Sequence, residues 1–581
     1  MALACLGLCA AITFQLGGRP AAVGIAWRWR RLGRRARLRW IAPLVAVLVG
    51  MTALAGSKLH GGVLQTTPEL AFVASLVPRA QAATGALVRV RREGSPPASR
   101  SRARGAPLEA ASRWEAAGAA PGAPNVLLIV LESVAERYLG YAGGPASLSP
   151  SIDALAKDSL RMRRTWTTAT HSNYAQMAIL SSLFPRRGLG LDTYDRLDYP
   201  RVLLHDVAHA HGYATATISS QDESWQGMAR FQDTGTPTTF VDARAPGRAR
   251  VDIGTEKIAA DHETATRAIE WMQRQRGRWS LYVNFQSTHF PYALPRGVRR
   301  PYRPHAADSS ELKYLSYPSS LRSVAINRYK NALAYVDHQV GRLVQWLRAS
   351  GQLDDTLIVL TSDHGELFFE HGLVTHGRTL FEEEARVPLL LHWPGRIEPQ
   401  ASRRPSSTLD VLPTIVDAMG LPPHPAHQGR SLLPASANDS PKSDAAASPG
   451  LLEPRQADRA VLLNIQGLRG VEGVVCWPYK LTRDWSSGRL SLYDLATDPG
   501  ERRNRATDRP EQAQALRGLL QDFMLAQDDY HREEGVVRLQ RFAPPIPRCP
   551  SFGEPARSRA NAAVKPARAV RPRTEALHSA E

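Results

Sequence analysis

Five short apolar runs constrain what this chain can fold into: NVLLIVLES, YATATISS, WSLYVNFQS, DTLIVLTSD and VPLLLHWP. Several are almost unbroken Val, Ile and Leu, the composition of strands covered on both faces. Longer stretches separate them, and there the apolar residues recur at helical spacing: SIDALAKDS, YPRVLLHDVAHAHG, TATRAIEWMQRQ, INRYKNALAYVDHQVGRLVQWLRAS and TLDVLPTIVDAMG. Strand alternating with helix predicts an α/β fold built on a mostly parallel sheet flanked by helices. Ligands of such sheets bind beyond the carboxyl ends of the strands. The residues that terminate strands are therefore the first candidates for chemistry.

Three of those ends carry groups able to hold a metal or move a proton. NVLLIVLES reaches Glu132, WSLYVNFQS delivers His289 just past its end, and DTLIVLTSD brings Asp363 with His364 beside it. Two carboxylates and an imidazole from separate strand ends can converge on one divalent cation, with Asp363 and His364 splayed apart by an extended backbone. Oxygen-rich ligation with one imidazole suits Mn2+, Mg2+ or Zn2+ better than Ca2+, which asks for more carboxylates. The segment THSNYAQMAILSSLFP follows a predicted strand, LRMRRTWTT, and reads as a helix from Ser172, with Ala175, Met177, Ala178, Ile179 and Leu183 available to pack on the sheet. Ser172 in the first turn would sit where free N–H groups favour an anion. A nearby cation would favour its deprotonated, nucleophilic form. A simple N-cap explains the same serine without chemistry. Thr170 is the alternative nucleophile, and His171 reads as structural.

The chain is strongly basic, at +19, but the excess sits at its ends. Residues 1–124 hold 17 Lys and Arg against 4 Asp and Glu, and residues 551–581 hold 6 against 3. The body between is close to balanced and has no Lys/Arg stripe with interleaved aromatics, which argues against a nucleic-acid partner. Seven arginines within residues 28–39 precede an uncharged run at 41–56, IAPLVAVLVGMTALAG. That run is slightly short of the roughly 20 residues that span a bilayer, and the positive-inside rule puts the chain beyond it on the extracytoplasmic side. The expectation is a protein anchored in the cell membrane, its body facing the periplasm or the exterior. The opening MALACLGLCAAITFQL lacks a basic start and reads as part of another span rather than a signal peptide. From about residue 80 to 122 the chain is rich in Arg, Ala, Pro and Gly without aliphatic periodicity, a linker expected to be disordered. Of four cysteines, only Cys476 and Cys549 are candidates to pair outside the cytoplasm, and both the paired and the free state stay open.

Taken in order, NVLLIVLES, SPSIDALAKDS, SSLFPRR, NFQSTHFPY, TSDHGELFFEHG, THGRTLFEEEARVPLLLHWPG, DVLPTIVDAMGLP, QGRSLLP and LSLYDLATDPGERRN resemble the sulfatase branch of the alkaline phosphatase superfamily. The resemblance implies an alkaline-phosphatase-like α/β sandwich with a smaller C-terminal α+β subdomain. The chain then divides into membrane segments at 1–64, a linker at 65–123, a catalytic domain at 124–455, the subdomain at 456–535 and a basic tail at 536–581. The resemblance places the nucleophile on Ser172, as a fourth ligand beside Glu132, Asp363 and His364. It gives His289 and His376 the work of stabilising charge and protonating the leaving oxygen.

Two features depart from the sulfatase pattern. The residues from Ser172 read SNYAQ, with Tyr174 and Gln176 where the signature for conversion to formylglycine has Pro or Ala and Arg. Glu132 is followed by Ser133 where paired aspartates are usual. A lone glutamate, a hydroxyl nucleophile and an Asp-His pair are similar to lipoteichoic acid synthases and phosphoethanolamine transferases, and Asp222 and Trp225 resemble the head-group contacts of the synthases. The expected activity is hydrolysis or transfer at an anionic phosphate ester or phosphodiester, such as a lipid head group in the bilayer. Sulfuric ester hydrolysis is the alternative, and an inactive binding relative is the third.

Overall fold

The computed structural model describes residues 118–552 except 187–193, 195–196, 198, 253–256, 307–311, 434–458, 466–469 and 533–541. The expected membrane run, the arginines before it, most of the linker and the end of the basic tail lie outside the described residues. Among the described residues, no helix is long and apolar enough to cross a membrane.

All five apolar runs form strands of one sheet. Its eight strands are β1 Asn125–Leu131, β2 Leu160–Met162, β3 Ala214–Ser219, β4 Thr239–Val241, β5 Trp279–Phe285, β6 Thr356–Ser362, β7 Leu389–His392 and β8 Gln400–Ser402. They lie in the order β8-β2-β7-β6-β1-β5-β3-β4. The central strands β6, β1, β5, β3 and β4 are parallel, as expected, but β7 runs antiparallel to both β6 and β2. The reason is the connection: residues 363–388 stay at the carboxyl end of β6 and contain no helix that crosses the sheet, so the chain can only return in the opposite sense. LRMRRTWTT is likewise not one strand. Its first part is β2, whereas Thr165–Trp166 pairs with Ser406–Ser407 in a separate ladder.

Seven helices matter here: α1 Pro150–Lys157, α2 Ser172–Ser181, α3 Leu204–Ala210, α4 Asp261–Gln273, α5 Arg322–Ala349, α6 Val411–Ala418 and α7 Pro510–Arg532. The two-residue period of β1 sends alternate side chains to opposite faces. Leu127, Ile129 and Leu131 pack with Ile152 of α1, Ala265 of α4 and Leu333 and Val336 of α5. Val126, Leu128 and Val130 pack with Met177 and Ile179 of α2, Val207 of α3 and Ile415 of α6. These six of the seven β1 residues have 0% exposure, which is why the run reads as continuous rather than alternating. Each contributes roughly 1.5–3 kcal/mol by burial, and trimming a leucine there to alanine costs about 2–5 kcal/mol because the enclosed site cannot collapse.

The C-terminal region is an antiparallel sheet of β9 Val461–Ile465, β10 Val471–Cys476, β11 Tyr479–Asp484 and β12 Leu490–Asp494 in sequential order. One face holds α7 through Leu516, Leu520, Phe523 and Met524, a helical stripe at the i, i+4, i+7, i+8 spacing. The other face packs Val461, Leu463 and Val475 on Trp166, Leu380 and Ala385, so this sheet backs the loop that leaves β6. Cys476 and Cys549 are joined in a disulfide. Residues 542–552, the start of the expected tail, run beside this sheet, with Ala460 N–H donated to Pro547 O at 3.0 Å.

Candidate active site

Strand register assembles the site. Leu131 of β1 lies opposite Ser362 of β6 on one side and Phe285 of β5 on the other. The next residue of each strand therefore arrives at the same level: Glu132, Asp363 and Gln286. The ladders continue one step, with Glu132 N–H donated to Phe285 O at 3.1 Å and Asp363 N–H to Leu131 O at 3.2 Å. Ser133 then turns the chain away at a φ of +56°, an uncommon conformation for a residue with a Cβ. The turn aims its N–H at Asp363 Oδ1, 3.0 Å away, and its hydroxyl at Glu132 Oε1, 2.8 Å away.

Helix α2 supplies the hydroxyl. His171 is extended at the N-cap and Ser172 is the first helical residue. Ser172 Oγ lies 3.2 and 3.1 Å from the two Glu132 oxygens and 3.1 Å from His364 Nε2. His364 Nε2 is in turn 3.5 Å from Glu132 Oε1 and 3.7 Å from Asp363 Oδ2. Its Nδ1 faces the Gly365 carbonyl oxygen at 3.0 Å, so Nδ1 carries the proton and Nε2 turns toward the carboxylates. Ligands about 2.0–2.3 Å from one ion stand roughly 3–4 Å apart, the spacing seen here.

The electrostatics call for a cation. Glu132, Asp363 and His364 are all 0% exposed. The groups that hydrogen-bond the two carboxylates are neutral: hydroxyls of Ser133 and Ser172, amides of Gln176 and Gln286, and backbone N–H. Burial first, and Glu132 second, push Asp363 up to about 7. Burial opposes protonation of His364, but Asp363 and Glu132 outweigh it and hold its pKa above the usual histidine value. Glu132 and His364, with the Ser172 hydroxyl between them, offer oxygen and nitrogen donors at a spacing that suits a divalent cation, and Asp363 adds a second buried carboxylate beside them.

His376 enters in a second way. Glu132, His364 and His376 each bring a ligand atom within 4.8 Å of the others, so the side chain expected to stabilise charge and protonate the leaving oxygen also borders the cation position. Its Nδ1 is 2.9 Å from Glu366 Oε2, and Glu366 accepts the Tyr292 hydroxyl at 3.0 Å. Burial, followed by His364, His289 and His171, holds His376 well below the usual histidine pKa. His289 lies at the edge, its ring centroid 5.5 Å from that of His376 and its Nδ1 2.7 Å from the Phe290 carbonyl oxygen.

The remaining candidates separate. Thr170 donates its hydroxyl to Thr379 O at 2.9 Å, so the alternative nucleophile serves a loop contact. Trp225 stacks on His171 with centroids 5.3 Å apart, beside the nucleophile. Asp222 is taken up by Ser224 at 2.9 Å and Arg244 at 3.3 Å, a turn and an ion pair rather than a contact to the cluster. Gln286 and Glu366 were not singled out from the sequence. Gln286 precedes His289 in NFQSTH and Glu366 follows His364 in SDHGE, and that adjacency is the signal that could have found them.

The sulfatase family model matches residues 124–421. This chain belongs to the sulfatase family. A second model, described as N-sulphoglucosamine sulphohydrolase, C-terminal, matches residues 369–528. Members of the sulfatase family are ester hydrolases, and so is this chain. Arylsulfatase K of Canis lupus familiaris is 25% identical over 457 residues, covering 71% of this chain and 84% of the relative. Choline-sulfatase of Rhizobium meliloti (strain 1021) is 27% identical over 481 residues, covering 72% and 89%. Among solved structures, the phosphonate monoester hydrolase of Agrobacterium radiobacter superposes with a TM-score of 0.52 at 20% identity, over 70% of this chain and 96% of that one. A 2-O GAG sulfatase gives 0.52 at 19%, over 74% and 98%. At such identities the superpositions establish the fold, a large mixed sheet flanked by helices with a small C-terminal sheet.

Proposed function

We propose that this sulfatase-family hydrolase cleaves a sulfuric ester, with Ser172 as nucleophile beside a divalent cation held by Glu132, Asp363 and His364. The observation that carries the proposal is the position of Ser172 Oγ, 3.1 Å from both a Glu132 oxygen and His364 Nε2 at the start of α2, where free N–H groups favour an anionic ester. The relatives named arylsulfatase K and choline-sulfatase support sulfate as the group transferred. A cation bound here supplies Lewis acidity toward the serine hydroxyl and the ester oxygen. Ser172 Oγ gives up its proton to solvent water and attacks sulfur in line, and the bond from sulfur to the alcohol oxygen breaks as the serine–sulfur bond forms. His289 supplies a proton to the leaving oxygen, with the neutral His376 ring beside it at a centroid distance of 5.5 Å. Water then cleaves the serine ester, restoring the hydroxyl and releasing sulfate.

The Cys476–Cys549 disulfide supports an oxidising, extracytoplasmic location, in keeping with the membrane run at 41–56. Purified protein assayed with an aryl sulfate and an aryl phosphodiester, with Ser172→Ala as control, tests the proposal. Sulfate turnover lost in the variant supports it.

A phosphate ester is the second reading, and SNYAQ favours it. Tyr174 and Gln176 occupy the places that the formylglycine signature reserves for other residues, leaving Ser172 a simple hydroxyl, as in the lipoteichoic acid synthase and phosphoethanolamine transferase pattern. Phosphodiester turnover without sulfate turnover decides for that reading. An aldehyde mass on the Ser172 peptide decides against it.

A further inference from the structure

We infer that Gln176 is a positioning residue that holds Glu132 and Asp363 in the spacing a divalent cation needs, through an amide locked in one orientation by Tyr282 and Asn284. The inference rests on the cation site proposed above and not on which ester is cleaved. Gln176 lies four residues after Ser172 on α2, one turn along the same face, and is 0% exposed. Its Nε2 is 3.0 Å from Asp363 Oδ2 and 3.5 Å from Glu132 Oε2, so one NH2 group spans both carboxylates. Its Oε1 accepts the Tyr282 hydroxyl and Asn284 Nδ2, both at 3.2 Å.

Those four contacts admit one orientation. Rotating the amide by half a turn would set its oxygen against two carboxylates and its NH2 against the Asn284 NH2. An amide has two N–H groups and no charge, so Gln176 can bracket both acids without replacing the cation as their counter-charge. Asn284 is itself fixed, donating to Gln221 Oε1 at 3.3 Å, and Gln286 reaches the far side of Glu132 Oε2 at 3.0 Å. The carboxylates thus rest on a layer of amides whose directions run from β3 and β5 toward the cation position.

The test titrates the purified full chain with Mn2+ by calorimetry, comparing Gln176→Met, Tyr282→Phe and the double variant, each with its melting temperature in the absence of cation. Outer partners of metal ligands typically change affinity about 10–100-fold. Gln176→Met should fall in that range. Tyr282→Phe, which removes only the hydroxyl that orients the amide, should weaken binding severalfold without moving the cation-free melting temperature. The double variant should bind no more weakly than Gln176→Met, because Tyr282 acts through Gln176. Wild-type affinity in Gln176→Met, or single effects that multiply in the double variant, would overturn the inference. Should Gln176→Met fail to melt cooperatively, Tyr282→Phe decides alone, with unchanged affinity overturning it. Ester preference is read separately on the wild type: phosphodiester turnover alone sinks the proposed substrate and leaves Gln176 standing.

Discussion

Lys480 is 0% exposed and makes two ion pairs, to Glu382 at 2.9 Å and Glu501 at 3.0 Å. The cluster joins β11 of the C-terminal sheet to Glu382–Ala385, the short helix whose Glu384 carbonyl accepts the Gly365 N–H at 2.7 Å, next to His364. Burial opposes ionisation of Glu382, yet Lys480 and Arg386 keep its pKa below the usual range. Trp166 Nε1 donates to the same carboxylate at 2.7 Å. Burial pushes Glu501 up to about 8, with Lys480 pulling it down and Glu382 raising it. At an effective dielectric constant near 20, a pair at this distance carries about 6 kcal/mol of gross attraction, and desolvating the ammonium returns several kcal/mol of it. Replacing Lys480 with Met leaves Glu382 buried with only Arg386 at 3.4 Å, which should cost about 3 kcal/mol. If roughly 400 residues unfold together at about 2.1 cal/mol/K each, that is a fall of about 4 °C in melting temperature. Calorimetry on Lys480→Met and on Lys480→Met with Glu382→Gln checks it. The double variant should recover much of the loss, since no uncompensated charge remains. A single variant that melts within about 1 °C of wild type, or a double variant no better than the single, would refute the reasoning.

Ser172→Ala should lower turnover at least about a thousandfold, as loss of a nucleophile does, while circular dichroism stays unchanged because Oγ makes only contacts within the cluster. Adding a divalent cation at a hundred times its dissociation constant should stabilise the chelator-treated protein by about 2.7 kcal/mol, seen as a rise in melting temperature that Asp363→Asn abolishes. Burial lowers His424 to about 4, and burial followed by His424 lowers His427 to about 3, from 6.5. The unfolded chain then binds the extra protons, so each histidine should remove stability as pH falls from 6.5 toward 4, at about 1.4 kcal/mol per pH unit. His427→Asn should flatten the slope of denaturation midpoint against pH. Cys549→Ser opens a cross-link that spans 73 residues and should cost about 4 kcal/mol, with protease nicking of residues 542–552 as the readout.

Much of the site was legible because register converts strand-end position into proximity. Glu132 and Asp363 terminate strands that turn out to be neighbours, and Ser172 opens a helix on the sheet face that carries Val126 and Val130. Gln176 was visible only as a departure from a signature. Its task depends on Tyr282 and Asn284, which sit on β5 more than a hundred residues away. The bond from His376 to Glu366 was hidden for a similar reason, since residues 363–388 fold back on themselves without a periodic pattern to follow. Asp222 resembles a substrate contact in sequence, and only the folded chain shows Ser224 and Arg244 beside its carboxylate.

The sequence by itself determined the layers. Near-continuous Val, Ile and Leu runs can only be satisfied between two sets of helices, and their polar ends must then lie along one edge of the sheet. Tertiary structure decided the direction of β7, the break after Met162, the disulfide, and which polar ends meet. Hydrophobic pattern is a local property fixed by which face each residue presents. Pairing order and side-chain convergence depend on contacts between segments far apart in the chain, and no local pattern records them.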